Sequence, residues 1–254
     1  MRLALIQAPL IWEKPTENLA YFEQKINSAH EPVDVFILPE MFTTGFTMNP
    51  SNLAETMDGS TVSWMRALAE STQAAICGSL VISESGNFYN RFIFAMPSGE
   101  IHFYDKRHLF SLAGEDKAYA SGKEKIIIDY RGFRICPQIC YDLRFPAFSR
   151  NSEDYDLLIY VANWPAPRIA AWDALLKARA IENLCFVAGV NRIGEDYNGH
   201  LYPGKSQLIN YLGEQIIEPM FSDGMALGTI NKEEMLETRK KLGFLNDRDI
   251  IKVE

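Results

Sequence analysis

Cys140 occupies a position that suits a nucleophile. An apolar segment, predicted as a strand, leads from Phe133 towards Cys140, and a turn or helix is predicted to begin directly after it. A thiol at such a strand-to-helix turn projects into a cleft, where the backbone N–H of Tyr141 is available to a developing oxyanion. The positive end of a following helix also lowers the pKa of a thiol. The other three cysteines lie within apolar runs and are predicted to be core residues.

Glu40 follows an apolar run that ends at Leu38 and Pro39. A lone carboxylate among apolar neighbours is costly to bury unless it is paired or protonated. Burial also raises the pKa of a carboxyl group, which suits a general base that works near neutral pH. A strand-end glutamate exposed to water explains this residue equally well when Glu40 is considered alone.

Lys106 follows another predicted strand, within the segment 104–110 (YDKRHLF). Its ammonium group can pair with a carboxylate and stabilise both a thiolate and an oxyanion. A lysine at the end of a strand is otherwise most often a solvated surface charge. A nucleophilic cysteine commonly uses a histidine as its base. Of the four histidines, however, only His108 lies in a motif-rich segment, so the support for a cysteine–histidine pair is weak. The sequence therefore favours a carboxylate base.

The elements that must position these residues alternate between strands and amphipathic helices. This pattern predicts a mixed sheet or two stacked sheets with helices outside, in one domain spanning residues 1–254. Ligand sites in such folds lie beyond the carboxyl ends of strands, so Glu40, Cys140 and the pair Asn163-Trp164 are expected to meet in one crevice. The predicted strands cover residues 2–8, 33–38, 74–82, 88–96, 101–104, 125–129, 133–138, 157–162, 185–191, 206–210 and 226–230. The predicted helices cover residues 16–28, 60–72 and 169–183, with a loop at 109–122 and a polar, frayed C-terminus.

Composition excludes several classes of protein. Of the 254 residues, 47% are hydrophobic and 23% charged, the balance of a globular enzyme rather than a disordered chain. The formal net charge of −8 argues against nucleic acid as the main partner. No apolar run is long enough to cross a membrane, and the N-terminal residues are interpreted as a strand rather than a signal peptide. Four cysteines without disulfide-framework spacing predict reduced thiols in a cytoplasmic protein.

Taken together, three segments resemble the nitrilase superfamily of carbon–nitrogen hydrolases. They are Leu38-Pro39-Glu40, residues 104–110 and residues 140–146, and both their order and their flanking residues match that family. The resemblance extends from the N-terminal strand to about residue 230. Within the superfamily the chain is most similar to the bacterial omega-amidases, a likeness carried by residues 160–168 (YVANWPAPR) and 177–183 (KARAIEN).

This resemblance implies an α/β fold, a four-layer αββα sandwich that forms a homodimer through a helical face. It implies neither a metal nor an organic cofactor. It also implies that Glu40 is the general base, Lys106 the transition-state stabiliser and Cys140 the nucleophile. Many family members carry a second active-site glutamate in the loop after the lysine, for which Glu115 is the best match.

The substrate that the resemblance implies is a small amide, namely the terminal amide of a short 2-oxo dicarboxylic acid monoamide such as 2-oxoglutaramate. Its carboxylate requires a cation, and arginine offers a bidentate fork. Arg168 is the first candidate, with a surface position at a helix N-terminus as the alternative; Arg144, which can instead brace the turn through a salt bridge, and Arg107 follow. The predicted substrate contacts are Tyr141, Asn163, Trp164, Arg168 and Phe42, although aromatic residues at strand ends are often plain packing. A nitrilase, an N-carbamoyl amidase and a non-catalytic binding homologue are the alternative functions.

Overall fold

The computed structural model of the protein describes residues 1–251, whose main elements are two six-stranded sheets and the helices that cover them. The strands are β1 (Arg2–Gln7), β2 (Val35–Ile37), β3 (Ala75–Glu84), β4 (Asn87–Ala95), β5 (Ile101–Asp105), β6 (Ile128–Tyr130), β7 (Phe133–Ile139), β8 (Leu157–Ala162), β9 (Phe186–Asn191), β10 (Ile193–Glu195), β11 (Leu201–Pro203), β12 (Gln207–Ile209), β13 (Gln215–Ile217) and β14 (Gly224–Thr229). The helices are α1 (Pro15–Asn27), α2 (Pro50–Leu53), α3 (Ser60–Thr72), α4 (Glu115–Ala118), α5 (Pro146–Ser149), α6 (Ile169–Asn183) and α7 (Lys232–Leu242). Short 3₁₀ turns cover Ser111–Ala113, Cys140–Arg144, Ala166–Arg168 and Phe244–Asp247.

The two sheets have matching topologies. The first sheet has the strand order β14-β1-β2-β3-β4-β5, and the second has the order β13-β12-β9-β8-β7-β6. Three neighbouring strands run parallel in each sheet, β1 to β3 in the first and β7 to β9 in the second, and the outer strands pair antiparallel. Parallel strands end at a common edge, so the segments that follow them are brought together there.

Alternation of side chains along the strands builds the layers. Leu3 and Leu5 of β1 face the core between the sheets, where they share a cluster with Ile159 of β8. Ala4 and Ile6 point the other way, into the core beneath α1 and α3. The opposite face of the second sheet packs on α6 in the same manner. Because successive strand residues point to opposite faces, each sheet buries both sides, and the predicted four-layer αββα sandwich is confirmed.

The elements with the clearest apolar periodicity have the bounds that the sequence predicts. Strand β8 and helices α3 and α6 begin and end at the predicted residues. In α3 the buried side chains include Val62, Met65 and Ala69, which recur at the spacing of one helical face. Within residues 1–251, none of the helices has both the length and the apolar character required to cross a bilayer.

Several segments differ from the predictions, three of them near the cavity or towards the C-terminus. The predicted loop at 109–122 contains a 3₁₀ turn and helix α4, separated by Gly114, whose φ of 77° suits a glycine. The C-terminal region, predicted to be frayed, contains α7, which Asn231 caps and Met235 anchors in the core. The paired strands β10 and β11 were not predicted, because each is only three residues long. Such short elements have too few residues for a periodic pattern.

Candidate active site

The chemically competent residues lie just beyond the ends of strands. Glu40 follows β2, Lys106 follows β5 directly, and Cys140 follows β7 directly. Cys140 has a φ of 45°, a left-handed conformation that is uncommon for residues other than glycine. It begins the 3₁₀ turn Cys140–Arg144, so the sharp turn predicted after the strand is confirmed.

Glu40, Lys106 and Glu115 form one buried charged cluster. The Lys106 ammonium lies 2.8 Å from Glu40 Oε1 and 2.9 Å from both carboxylate oxygens of Glu115. All three side chains are fully buried. The amide nitrogen of Asn90 donates to Glu40 Oε1 at 2.8 Å and to Glu115 Oε1 at 3.1 Å. The loop glutamate selected from the resemblance therefore lies against Lys106.

The cluster contains one more carboxylate than ammonium, and this imbalance governs its protonation. Burial by itself would lower the pKa of Lys106, but the carboxylates of Glu115 and Glu40 outweigh burial and raise that pKa above its ordinary value. Burial raises the pKa of Glu115; the Lys106 charge opposes the shift and the Glu40 charge adds to it. Lys106 is therefore a permanent cation at neutral pH, while Glu115 accepts a proton more readily than an exposed glutamate does.

The pKa of the Cys140 thiol is shifted in the direction opposite to the one predicted. Burial raises the pKa of its thiol, the Glu40 carboxylate raises it further, and the Lys106 ammonium opposes both. The 3₁₀ turn that follows is five residues long, so its partial charge is too small to outweigh burial. The resting group is a thiol that needs a base, and its sulfur lies 4.0 Å from the carbonyl oxygen of Asn163.

Asn163 links the ends of the two sheets. Its backbone N–H donates to Glu40 Oε2 at 2.8 Å, and its side-chain amide donates to the Glu40 carbonyl oxygen at 2.7 Å. Glu40 follows β2 of the first sheet, and Asn163 directly follows β8 of the second. These hydrogen bonds hold the Glu40 carboxylate against Asn163, whose carbonyl oxygen contacts the sulfur of Cys140.

A cavity of about 370 Å³ opens over this cluster. Lys106 and Cys140 lie in its wall, and the other lining residues are Phe46, Met48, Phe110, Ala113, Tyr141, Arg144, Asn163, Trp164, Pro165, Pro167, Arg168, Asp196, Asn198, His200 and Tyr202. Tyr141, Asn163, Trp164 and Arg168, four of the predicted substrate contacts, are therefore at the cavity. This volume is within the range of pockets that enclose small molecules.

Phe42 does not line the cavity, contrary to the prediction. Its side chain is fully buried in the core beneath α1 and α3, where it packs edge to face on Phe22 with ring centroids 5.4 Å apart. Phe46 and Met48, further along the same loop, form that part of the wall instead. The chain turns sharply at Met41, whose φ is 45°, so a pattern based on strand alternation could not place the next side chain.

Two guanidinium groups share the cavity. The Arg168 guanidinium lies over the ring of Phe110 at 5.0 Å, and that of Arg144 lies over the ring of Trp164 at 4.9 Å. Arg144 forms no ion pair within residues 1–251, so the predicted salt-bridge brace is not observed there. Arg107 is not at the cavity and donates to the carbonyl oxygen of Lys123.

Comparison with known proteins agrees with this architecture. The profile of the carbon–nitrogen hydrolase family matches residues 2–240. The chain belongs to the carbon–nitrogen hydrolases. Omega-amidase YafV of Yersinia enterocolitica is 46% identical to this hydrolase over 255 residues, covering 98% of this chain and 97% of the relative. The 2-oxoglutaramate amidase of Bacillus subtilis (strain 168) is 32% identical, covering 96% of both proteins.

A solved structure extends the comparison to the fold of this hydrolase. XC1258 from Xanthomonas campestris is a CN-hydrolase superfamily protein whose crystal structure contains an arsenic adduct in the active site. It superimposes with a TM-score of 0.97 and 41% sequence identity, covering 100% of this chain and 99% of that chain.

Asp142 braces the turn of the hydrolase against the strand end that carries Lys106. Its buried carboxylate accepts hydrogen bonds from the hydroxyl of Tyr104 at 2.8 Å and from the backbone N–H of His108 at 3.0 Å. The His108 Nδ1 lies 2.7 Å from the same carboxylate. His108 thus contacts a residue within the turn Cys140–Arg144. Asp142 joins the segment after β5 to the segment after β7.

Besides Phe46 and Met48, sequence reasoning missed Asn90 and the ribbon formed by β10 and β11. Asn90 lies in the middle of β4, and the sequence did contain a signal, because asparagine is disfavoured inside apolar strands. Tyr202 of β11 lines the cavity wall, as do Asp196 and His200 from the segment that connects β10 to β11. No local pattern marks these residues, because they reach the cavity only when the ribbon packs beside the sheet ends.

Proposed function

We propose that this hydrolase is an omega-amidase, which hydrolyses the terminal amide of 2-oxo dicarboxylic acid monoamides such as 2-oxoglutaramate. The observation that carries the proposal is a cavity lined both by Lys106 and Cys140 and by the guanidinium groups of Arg144 and Arg168. Thiol and ammonium groups suit acyl transfer, and guanidinium groups suit binding of the substrate carboxylate. The similarity to proteins named omega-amidase and 2-oxoglutaramate amidase supports the same substrate class.

The first half of the proposed reaction forms a thioester. Glu40 accepts the thiol proton of Cys140, and the sulfur attacks the amide carbonyl carbon, forming a C–S bond as the carbonyl electrons move to oxygen. The Lys106 ammonium and the Tyr141 N–H stabilise that oxyanion. When the carbonyl re-forms, the C–N bond breaks and Glu40 returns its proton to the departing nitrogen, which leaves as ammonia.

The second half releases the acid product. Glu40 takes a proton from a water molecule, whose oxygen attacks the thioester carbonyl carbon. The C–S bond then breaks, the sulfur regains a proton from Glu40, and the dicarboxylic acid leaves. In this scheme Glu115 acts through Lys106, because it holds the ammonium by two contacts of 2.9 Å.

Ammonia release from three substrates tests the proposed class. We expect 2-oxoglutaramate to be hydrolysed with a higher kcat/KM than either an aliphatic nitrile or an N-carbamoyl amino acid. Faster turnover of one of the other two would assign the protein to another branch of the family. No ammonia from any of the three would favour the non-catalytic binding homologue.

Replacing either cavity arginine tests how the carboxylate is bound. We expect Arg168→Met and Arg144→Met each to raise KM for 2-oxoglutaramate about 10- to 100-fold, because a hydrogen bond to a charged group contributes about 1.5–3 kcal/mol. A neutral amide that lacks the carboxylate should show the same KM with each variant as with the wild type. Arg66→Met, at an exposed site on α3 that contacts Gly99, is the control. An unchanged KM for 2-oxoglutaramate in both cavity variants would rule out this mode of binding.

We further infer that the protein acts as a single-domain homodimer in the cytoplasm. All four cysteines are free thiols, which suits a reducing compartment. The dimer is implied by the family resemblance, and the single domain over residues 1–254 is the prediction from the sequence pattern. Light scattering on the purified protein measures the molar mass in solution and therefore tests the dimer directly.

A further inference from the structure

Asn90 is the neutral member of the charged cluster. It lies in β4, is fully buried, and uses one nitrogen to bridge the two carboxylates that flank Lys106. That nitrogen lies 2.8 Å from Glu40 Oε1 and 3.1 Å from Glu115 Oε1. The mechanism proposed above assigns no step to this residue.

A second pair of hydrogen bonds determines which end of the Asn90 amide faces the carboxylates. The hydroxyl of Ser79, in β3, donates to the Asn90 carbonyl oxygen at 2.8 Å. The same hydroxyl oxygen accepts the backbone N–H of Met41 at 2.8 Å. Ser79 is fully buried as well. The NH₂ end is therefore directed at Glu40 and Glu115 by contacts on the opposite side of the amide.

The charge balance explains why an amide suits this position. Two carboxylates and one ammonium leave one uncompensated negative charge, and a neutral donor satisfies carboxylate lone pairs without cancelling it. A second cation would hold both carboxylates ionised and make Glu40 a weaker base. An apolar side chain would leave Lys106 as the remaining donor to Glu40 Oε1 and Glu115 Oε1, and the lost hydrogen bonds would shift the balance towards the protonated carboxyl form.

We propose that Asn90 is a positioning residue that sets the proton affinity of the Glu40–Glu115 pair and so keeps Glu40 deprotonated while it faces Cys140. The proposal rests on the amidase function inferred above. Hydrogen bonds from Asn90 favour the charged form of both carboxylates. Their loss makes the pair take up a proton at a higher pH, and a protonated Glu40 cannot accept the thiol proton.

The pH dependence of kcat/KM for 2-oxoglutaramate tests the proposal. We expect the acid limb to move upward by about one pH unit in Asn90→Ala, and further in Asn90→Asp, which adds a third carboxylate. We expect kcat at neutral pH to fall about 10- to 100-fold in Asn90→Ala, with KM changed much less. Ser79→Ala removes the hydroxyl that orients the Asn90 amide but leaves Asn90 in place. We expect this variant to move the acid limb in the same direction by a smaller amount. Asn87→Ala, at the exposed start of the same strand, is the matched control.

The outcomes separate this inference from the proposed function. A wild-type protein that does not hydrolyse 2-oxoglutaramate contradicts the function itself. An active wild type, together with an Asn90→Ala variant of reduced kcat and an unmoved acid limb, means that Asn90 is merely structural and overturns the inference. Thermal unfolding shows whether each variant is folded. If Asn90→Ala does not fold, the Ser79→Ala variant decides the question. An acid limb in that variant identical to the acid limb of the wild type also overturns the inference.

Discussion

Replacing Cys140 with alanine or serine is expected to abolish amide hydrolysis and to leave the fold intact. The alanine variant cannot form the thioester, and loss of a nucleophile from a set of residues that act together lowers kcat by about 10⁴-fold or more. The side chain is small and lies at the cavity wall, so its truncation removes little packing. Steady-state ammonia release measures the loss, and the thermal unfolding midpoint reports on the fold.

The matched control is Cys136→Ala, on the same strand β7. Cys136 is fully buried in the core between the second sheet and α6, and burial raises the pKa of its thiol to about 12. We expect this variant to retain activity within a few-fold of the wild type and to lose some stability through the small cavity. Mass spectrometry of the wild type quenched during turnover should detect an acyl group on the peptide that contains Cys140. Near-wild-type turnover by either Cys140 variant would disprove its role as nucleophile.

Replacing Lys106 with methionine is expected to impair both catalysis and stability. The substitution leaves Glu40 and Glu115 buried together without a cation, and breaking a buried ion pair from one side costs about 3–5 kcal/mol of the free energy of unfolding. Loss of an oxyanion-stabilising group lowers kcat by about 10²- to 10³-fold. Chemical denaturation measures the first effect, and steady-state kinetics with 2-oxoglutaramate measures the second.

A double variant distinguishes the two roles of Lys106. Lys106→Met combined with Glu115→Gln reduces the cluster to a single carboxylate, so part of the lost free energy of unfolding should return. Activity should not return, because no ammonium faces the oxyanion. Together with the wild type and the Lys106→Met variant, Glu115→Gln alone completes a double-mutant cycle. Recovery of activity in step with stability would mean that Lys106 serves only to neutralise Glu115.

The best-defined elements follow from local sequence, whereas the four-layer αββα arrangement was implied by the family resemblance. Strand β8 and helices α3 and α6 have the predicted bounds, because apolar periodicity and burial act along one segment at a time. The sites of Glu40, Lys106 and Cys140 were predictable for a related reason. Each follows an apolar strand, and the ends of neighbouring strands meet at one edge.

The same local reasoning fails where several segments act on one side chain. Phe42 was predicted at the cavity, but the sharp turn at Met41 directs it into the core. The thiol of Cys140 was predicted to have a lowered pKa, but burial and the Glu40 carboxylate raise it. Neither the direction of a side chain after a turn nor the sum of distant charges is encoded in residue spacing.

The sequence by itself determined that Cys140 stands at a strand-to-turn position suited to a nucleophile, and it predicted Glu40 and Lys106 as the partners of this residue. Only the tertiary structure decided how those partners are held. It joins Lys106 to Glu115, orients Asn90 towards both carboxylates and brings the β10–β11 ribbon to the cavity. The physical reason is that short apolar runs specify strands locally. The protonation of a buried cluster, by contrast, depends on charges and donors that converge from several strands and loops.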